Sequence, residues 1–236
     1  MKVQEINSDS QFILYDADAF PDITREMFDP EVLASKNKII EELRGRGIAW
    51  VISHEDTQYV LRHYRRGGLI EKLLRDKYIW SGLDNSRAWM EWRLLKMMAE
   101  MNLPVPEPAA ARVVKYGLFY RADLITKRIL HTRSLAESLV EDSLSDEFWI
   151  SIGQTIRKFH RAGVNHSDMN AHNILLADDH QIHLIDFDRC GIESPGPWLE
   201  ANMSRLLRSL RKLAMEEVSF SFHEKDWLTL MAGYNR

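Results

Sequence analysis

Cysteine is almost absent: Cys190 is the one in 236 residues. That excludes an internal disulfide and any cysteine-rich metal centre, and it suits a reducing compartment. Long apolar runs are missing too. No segment approaches the ~20 consecutive apolar residues of a membrane-spanning helix. The opening Met1-Lys2-Val3-Gln4-Glu5-Ile6-Asn7-Ser8 lacks the apolar stretch of a signal peptide. There is no excess of positive charge. The formal net charge of -4 argues against a dedicated nucleic-acid binder, while leaving room for a local basic face. No repeat or low-complexity segment is visible. What remains is 45% hydrophobic and 28% charged, the balance of an ordinary folded chain with a sizeable core. The expectation is a cytoplasmic protein of one large domain or two small lobes, able to sit peripherally on a membrane.

Residues 1–40 carry weak patterning, with a candidate strand at Gln11-Phe12-Ile13-Leu14-Tyr15 and a helix, or a helix then a strand, over 31–43. From Gly45 the pattern sharpens. Ile48 to Ile52 and Tyr59 to Tyr64 read as a strand pair around a polar turn. Arg87 to Met101 reads as a helix, with Met90, Leu94, Met97, Met98 and Met101 at helical spacing. Asp84, Asn85 and Ser86 are candidate caps for its start. The prolines at 104, 106 and 108 impose an extended segment. Two strands follow, around Tyr116-Gly117. Trp149, Ile152, Ile156 and Phe159 share one helical face that Gly163 terminates. Ile174-Leu175-Leu176 and Ile182-His183-Leu184-Ile185 form a hairpin signal, and two amphipathic helices follow near 198–215 and 224–234. Strands first and helices later give an α+β fold. The N-terminal lobe, 1–126, is an antiparallel sheet with one helix; the C-terminal lobe, 127–236, is mainly helical.

The strongest chemical signal is His166-Ser167-Asp168-Met169-Asn170-Ala171-His172-Asn173, followed beyond a short segment by Asp186-Phe187-Asp188. Asn173 and Asp186 stand at the open end of the expected hairpin, so they face one small space with oxygen donors. Mg2+ prefers a few such hard oxygens, completed by phosphate and water. Asp168, in a loop after a helix, is placed to accept the proton of an attacking hydroxyl. His166 reads as a structural residue that holds the loop. Gly45-Arg46-Gly47 precedes an apolar strand, where Gly45 and Gly47 would let the backbone approach phosphates. Arg62 offers a permanent charge at a strand end, and Glu91 on the following helix is placed to orient it by an ion pair. From Arg62 through Lys72, Arg75 and Lys77 positive charge is concentrated, suiting an anionic substrate or membrane surface. The leucines of the second basic-apolar stretch, Arg205 to Leu213, read as core rather than membrane-inserted.

These motifs resemble the protein-kinase catalytic loop H-R-D-L-x-x-x-N and its D-F-G, and with them a protein-kinase-like two-lobed fold. More specifically, the chain resembles the bacterial 3-deoxy-D-manno-octulosonic acid (Kdo) kinases. The carriers are Gly45-Arg46-Gly47, Leu61-Arg62-His63-Tyr64 with Gly67-Gly68-Leu69, Leu103-Pro104-Val105-Pro106, the 166–176 stretch and Asp186-Phe187-Asp188. The resemblance implies transfer of the ATP γ-phosphate to the 4-hydroxyl of Kdo on Kdo-lipid A. It places the protein peripherally at the cytoplasmic side of the bacterial inner membrane. It implies Asp168 as the catalytic aspartate, Asn173 and Asp186 as Mg2+ ligands, and Gly45, Gly47, Arg62 and Glu91 around the nucleotide. Ser167 in place of arginine, Asp188 in place of glycine and the lack of A-P-E depart from regulated protein kinases. Two other readings stay open: a kinase for an aminoglycoside-like or choline-like acceptor, and a non-catalytic pseudokinase scaffold.

Overall fold

The computed structural model describes residues 1–8, 10–44, 48–65, 76–178 and 180–236. The chain divides into two compact units: Met1–Lys96 with Glu107–Arg128, and Met97–Pro106 with Ile129–Arg236. Residues 97–106 group with the second unit, although the chain returns to the first one afterwards.

The first unit is built on an antiparallel sheet ordered β1-β2-β7-β8-β5-β4-β3, with β6 paired to β8. The strands are β1 Val3–Asn7, β2 Gln11–Asp16, β3 Ile39–Arg44, β4 Ile48–His54, β5 Thr57–His63, β6 Tyr78–Ile79, β7 Pro108–Tyr116 and β8 Phe119–Lys127. The hairpin pairs β4–β5 and β7–β8 form where a polar turn or a glycine separates two extended runs. At the end of β4, Ser53 pairs with Gln58 and His54 with Thr57, so the turn falls on Glu55 and Asp56. Gly117, with φ +59°, turns β7 into β8. A core of Ile13, Tyr15, Phe20, Phe28, Leu33, Ile52, Leu61 and Ile125 covers one part of the sheet.

The expected single helix of this unit is α2, Arg87–Glu100. The structure adds a short helix α1, Pro30–Ser35, which begins on the Asp29 side chain accepting from the Glu31 and Val32 N–H groups. Helix then strand is thus the outcome over 31–43. In α2 the expected apolar stripe is split. Met90, Met97 and, just past the helix end, Met101 are each about half exposed (50%, 43% and 47%), whereas Leu94 and Met98 are buried together with Ala88, Trp89, Trp92 and Leu95. Two apolar stripes share this helix, and the indoles, with the larger area to bury, take the inside. At its start the Ser86 carbonyl accepts from Met90 N–H, while the Ser86 hydroxyl donates to the Leu83 carbonyl.

The second unit carries four α-helices among the described residues, α3 Leu135–Glu141, α4 Asp146–Arg161, α5 Trp198–Glu216 and α6 Glu224–Tyr234, and a 3-10 turn at Ala171–Asn173. Two small sheets, β9-β11-β12 and β10-β13, lie among them. Their strands are β9 Thr132–Ser134, β10 Val164–Asn165, β11 Ile174–Ala177, β12 Ile182–Leu184 and β13 Gly191–Ile192. Trp149, Ile152, Ile156 and Phe159 of α4 are all essentially buried. Gly163 follows at φ +78°. Helices α4 and α6 touch through backbone. A Cβ on Gly153 would lie 2.1 Å from the Leu230 carbonyl, and one on Gly233 would lie 2.3 Å from that of Ile150.

Candidate active site

Three backbone devices assemble the loop between β10 and β11. The Asn165 and Asn202 side chains meet at 3.0 Å, and Asn202 Oδ1 accepts the His166 N–H at 3.1 Å. Further on, the Ser209 hydroxyl accepts the Ala171 N–H at 3.2 Å, so α5 holds both ends of the loop. Inside it, the Asp168 carbonyl accepts from Asn170 Nδ2 at 3.0 Å and from Asn173 Nδ2 at 2.8 Å.

His166 joins the loop to the far arm of the hairpin. Its Nε2 lies 3.0 Å from the Ile185 carbonyl and its Nδ1 lies 3.2 Å from the Asp168 N–H. A carbonyl can only accept and an N–H can only donate, so Nε2 carries the proton and Nδ1 accepts. That is the neutral imidazole, and burial depresses the His166 pKa in the same sense. The ring packs on Phe187, itself buried and stacked on Phe159. One neutral histidine therefore ties Asp168 to the residue before Asp186. The Asp186 and Asp168 carboxylates both bear electrostatically on that ring.

The hairpin is as expected, with Ile174 opposite Leu184. The Ile185 N–H then donates to the Asn173 carbonyl at 3.0 Å, prolonging the pairing to the residue beside Asp186. Asp186 takes φ +63°, a left-handed conformation uncommon for a side-chain-bearing residue. Asp168 and Asp186 are half-buried, and Asn173 is buried. Asn173 spends its NH2 on the Asp168 carbonyl, which leaves its amide oxygen for a cation.

With this geometry in place the relatives become informative. Residues 30–234 match the lipopolysaccharide kinase (Kdo/WaaP) family. The chain belongs to that family. A 3-deoxy-D-manno-octulosonic acid kinase of Vibrio parahaemolyticus is 40% identical over 228 residues, covering 97% of this chain and 95% of its own. Proteins of the same name from Vibrio cholerae and Haemophilus influenzae are 39% and 37% identical; the alignments cover 89% of both chains and 99% and 100% respectively. Membership of a lipopolysaccharide kinase family makes the chain a phosphotransferase, and the α+β arrangement is that of a protein-kinase-like fold.

In the first unit of this lipopolysaccharide kinase, Arg62 and Glu91 do meet. Arg62 Nη2 lies 2.5 Å from Glu91 Oε2, with the arginine side chain 26% exposed and the carboxylate 3%. The pair has a third member to which the motifs assigned no role. Tyr64 donates its hydroxyl to the same Oε2 at 2.6 Å, and the guanidinium lies 4.7 Å from the centre of the Tyr64 ring. Strand alternation could have suggested it, since residues 62 and 64 of a strand share a face. His63 points the other way, to the buried Asp123 at 2.6 Å, which also takes Arg112 Nε at 2.8 Å. Of the described part of the basic stretch, Arg62 and His63 are thus taken up by Glu91 and Asp123, while Arg65 is exposed and the Lys77 ammonium lies 5.9 Å from the centre of the Tyr116 ring. Segment 66–75 of that stretch lies outside the described residues, as do Gly45 and Gly47.

Motif spacing also missed Asn170, Asn202 and Ser209. Asn202 and Ser209 had a faint signature: two polar residues seven apart on a helix whose Met203, Leu206 and Leu210 are buried.

Proposed function

We propose that this kinase transfers the γ-phosphoryl group of ATP to the 4-hydroxyl of a Kdo sugar carried on a lipid A precursor. The observation that carries the site assignment is the single hydrogen-bonded set Asp168–His166–Ile185 with Asn173 on the Asp168 carbonyl. The acceptor is supported by the name that relatives of about 40% identity share.

In this mechanism Asp168 accepts a hydrogen bond from the sugar hydroxyl and takes its proton as the oxygen attacks phosphorus. His166 stays neutral throughout, because its two nitrogens are already assigned to holding the loop. Asn173 and Asp186 suit Mg2+. Both offer hard oxygens, and two protein ligands are what that ion uses when phosphates and water supply the rest. No three His, Cys, Asp or Glu side chains among the described residues cluster as a protein-only metal centre would. When bound, the ion neutralises charge on the nucleotide phosphates. Arg62, held by Glu91, is a fixed positive charge of the kind a nucleotide phosphate takes. The lipid-linked acceptor supports a peripheral position at the cytoplasmic side of the bacterial inner membrane.

Incubation with γ-labelled ATP and Kdo-lipid A, beside an aminoglycoside and choline, tests the reading. Label should enter the Kdo ring and neither cationic acceptor. Label in a cationic acceptor alone, or in none, would overturn it.

A further inference from the structure

Helix α5 reaches the catalytic loop with two side chains, Asn202 on the His166 N–H and Ser209 on the Ala171 N–H. The residues they hold bracket Asp168. At 100° and 1.5 Å per residue, Arg205 lies about 60° around the helix from Asn202 and about 40° from Ser209. It stands about 4.5 Å along the axis from the first and about 6 Å from the second. Its backbone is thereby placed on the loop side of the helix, level with the segment that carries Asp168.

The other cations of α5 are accounted for. Arg211 pairs with Glu224 at 2.8 Å and Lys212 with Glu216 at 3.6 Å. Arg208 is exposed and donates to the Ser204 carbonyl of its own helix. Arg205 is half-buried, and among the described residues it has no hydrogen-bond or ion-pair partner. An arginine whose side chain is partly covered and whose charge has no partner among the described residues is favourable to pair. Its planar fork matches a carboxylate in two parallel hydrogen bonds.

We infer that Arg205 binds the carboxylate of the acceptor sugar acid and so sets the orientation in which a ring hydroxyl meets Asp168. This rests on the reading of the chain as a kinase of a Kdo-bearing acceptor. An octulosonic acid carries one carboxylate on the same ring as its hydroxyls, so a cation fixed beside the catalytic loop would fix the ring as well. Arg205 is then a specificity-determining residue, and neutral sugars of similar size would be poor acceptors.

The test compares Kdo-lipid A with its carboxamide, made by coupling the Kdo carboxylate to methylamine, in the wild type and in Arg205→Ala. A charge-assisted pair predicts that the wild type prefers the acid by roughly 10- to 100-fold in kcat/KM. Arg205→Ala should lose that preference, mainly through acceptor KM, with the KM for ATP unchanged. Arg205→Lys should restore part of it, and serves as the informative variant if the alanine protein melts early. An Arg205→Ala enzyme that still prefers the acid as strongly as the wild type would overturn the assignment, even if both rates fell. That pattern would mean the cation serves another anionic group, such as a lipid phosphate. A wild type that phosphorylates acid and amide equally would overturn it as well. Absence of any transfer to the acid by the wild type would instead bring down the functional reading, and this inference with it.

Discussion

At the scale of single residues, the loop works because each polar group has one assigned task. The Asp168 main chain is held on both sides, its N–H by His166 and its carbonyl by Asn170 and Asn173, which fixes where the side chain proposed as the base starts from. Exchanging Asn173 for Ala removes both a donor to that carbonyl and an oxygen from the proposed Mg2+ set. Transfer should fall steeply, and raising Mg2+ should recover only part of it, as measured by rate against metal concentration. Tyr64 makes a second prediction. Tyr64→Phe leaves the Arg62–Glu91 pair in place but strips one hydrogen bond from a buried carboxylate. Unfolding in urea should show a loss of about 1–3 kcal/mol. An unchanged midpoint would mean the hydroxyl contributes nothing there. The placement of Asp168, Asn173 and Asp186 on one loop and hairpin was legible in the sequence because motif spacing encodes backbone positions. Tyr64 was not, because its partner lies 27 residues away on another element.

At the scale of elements, local periodicity was enough to find the hairpin of β11 and β12, the β4–β5 pair and helices α2, α4, α5 and α6. It did not say which face of α2 is buried: of its stripe Leu94 and Met98 are inside, Met90 and Met97 half outside. Methionine and tryptophan both satisfy an apolar stripe, and only the sheet beneath decides between Trp89 and Met90. The α4–α6 crossing was also invisible, because it depends on two glycines, Gly153 and Gly233, that become neighbours only in the folded chain. Since a Cβ on either would collide with main-chain carbonyls rather than a flexible side chain, the helices must separate to admit one. Gly153→Ala should therefore destabilise the protein by about 1–3 kcal/mol or more, despite alanine's better helix propensity. Thermal melting would show this as a fall in Tm, whereas a rise would mean the crossing is looser than described.

At the scale of the whole molecule, each unit holds its own polar set: the sheet unit a sealed carboxylate against Arg62, the helical unit the loop of Asp168 that we propose activates the acceptor hydroxyl. Stability of the second should depend on pH through its buried histidines. Burial lowers the His160 pKa from 6.5 to about 4, and its Nδ1 lies 2.7 Å from the Tyr234 hydroxyl. A histidine depressed by folding binds fewer protons folded than unfolded. Its contribution is complete above pH 6.5 and is lost as pH falls toward 4. Melting temperature should accordingly drop across that window, and His160→Gln should flatten the drop while lowering Tm at pH 7. The central claim is that Asp168 activates the acceptor hydroxyl. The most direct test is single-turnover transfer from ATP to Kdo-lipid A by Asp168→Asn, with ATP affinity measured alongside. The account predicts ATP binding near the wild-type level and a transfer rate reduced by about 100- to 10,000-fold. A transfer rate close to that of the wild type would contradict it.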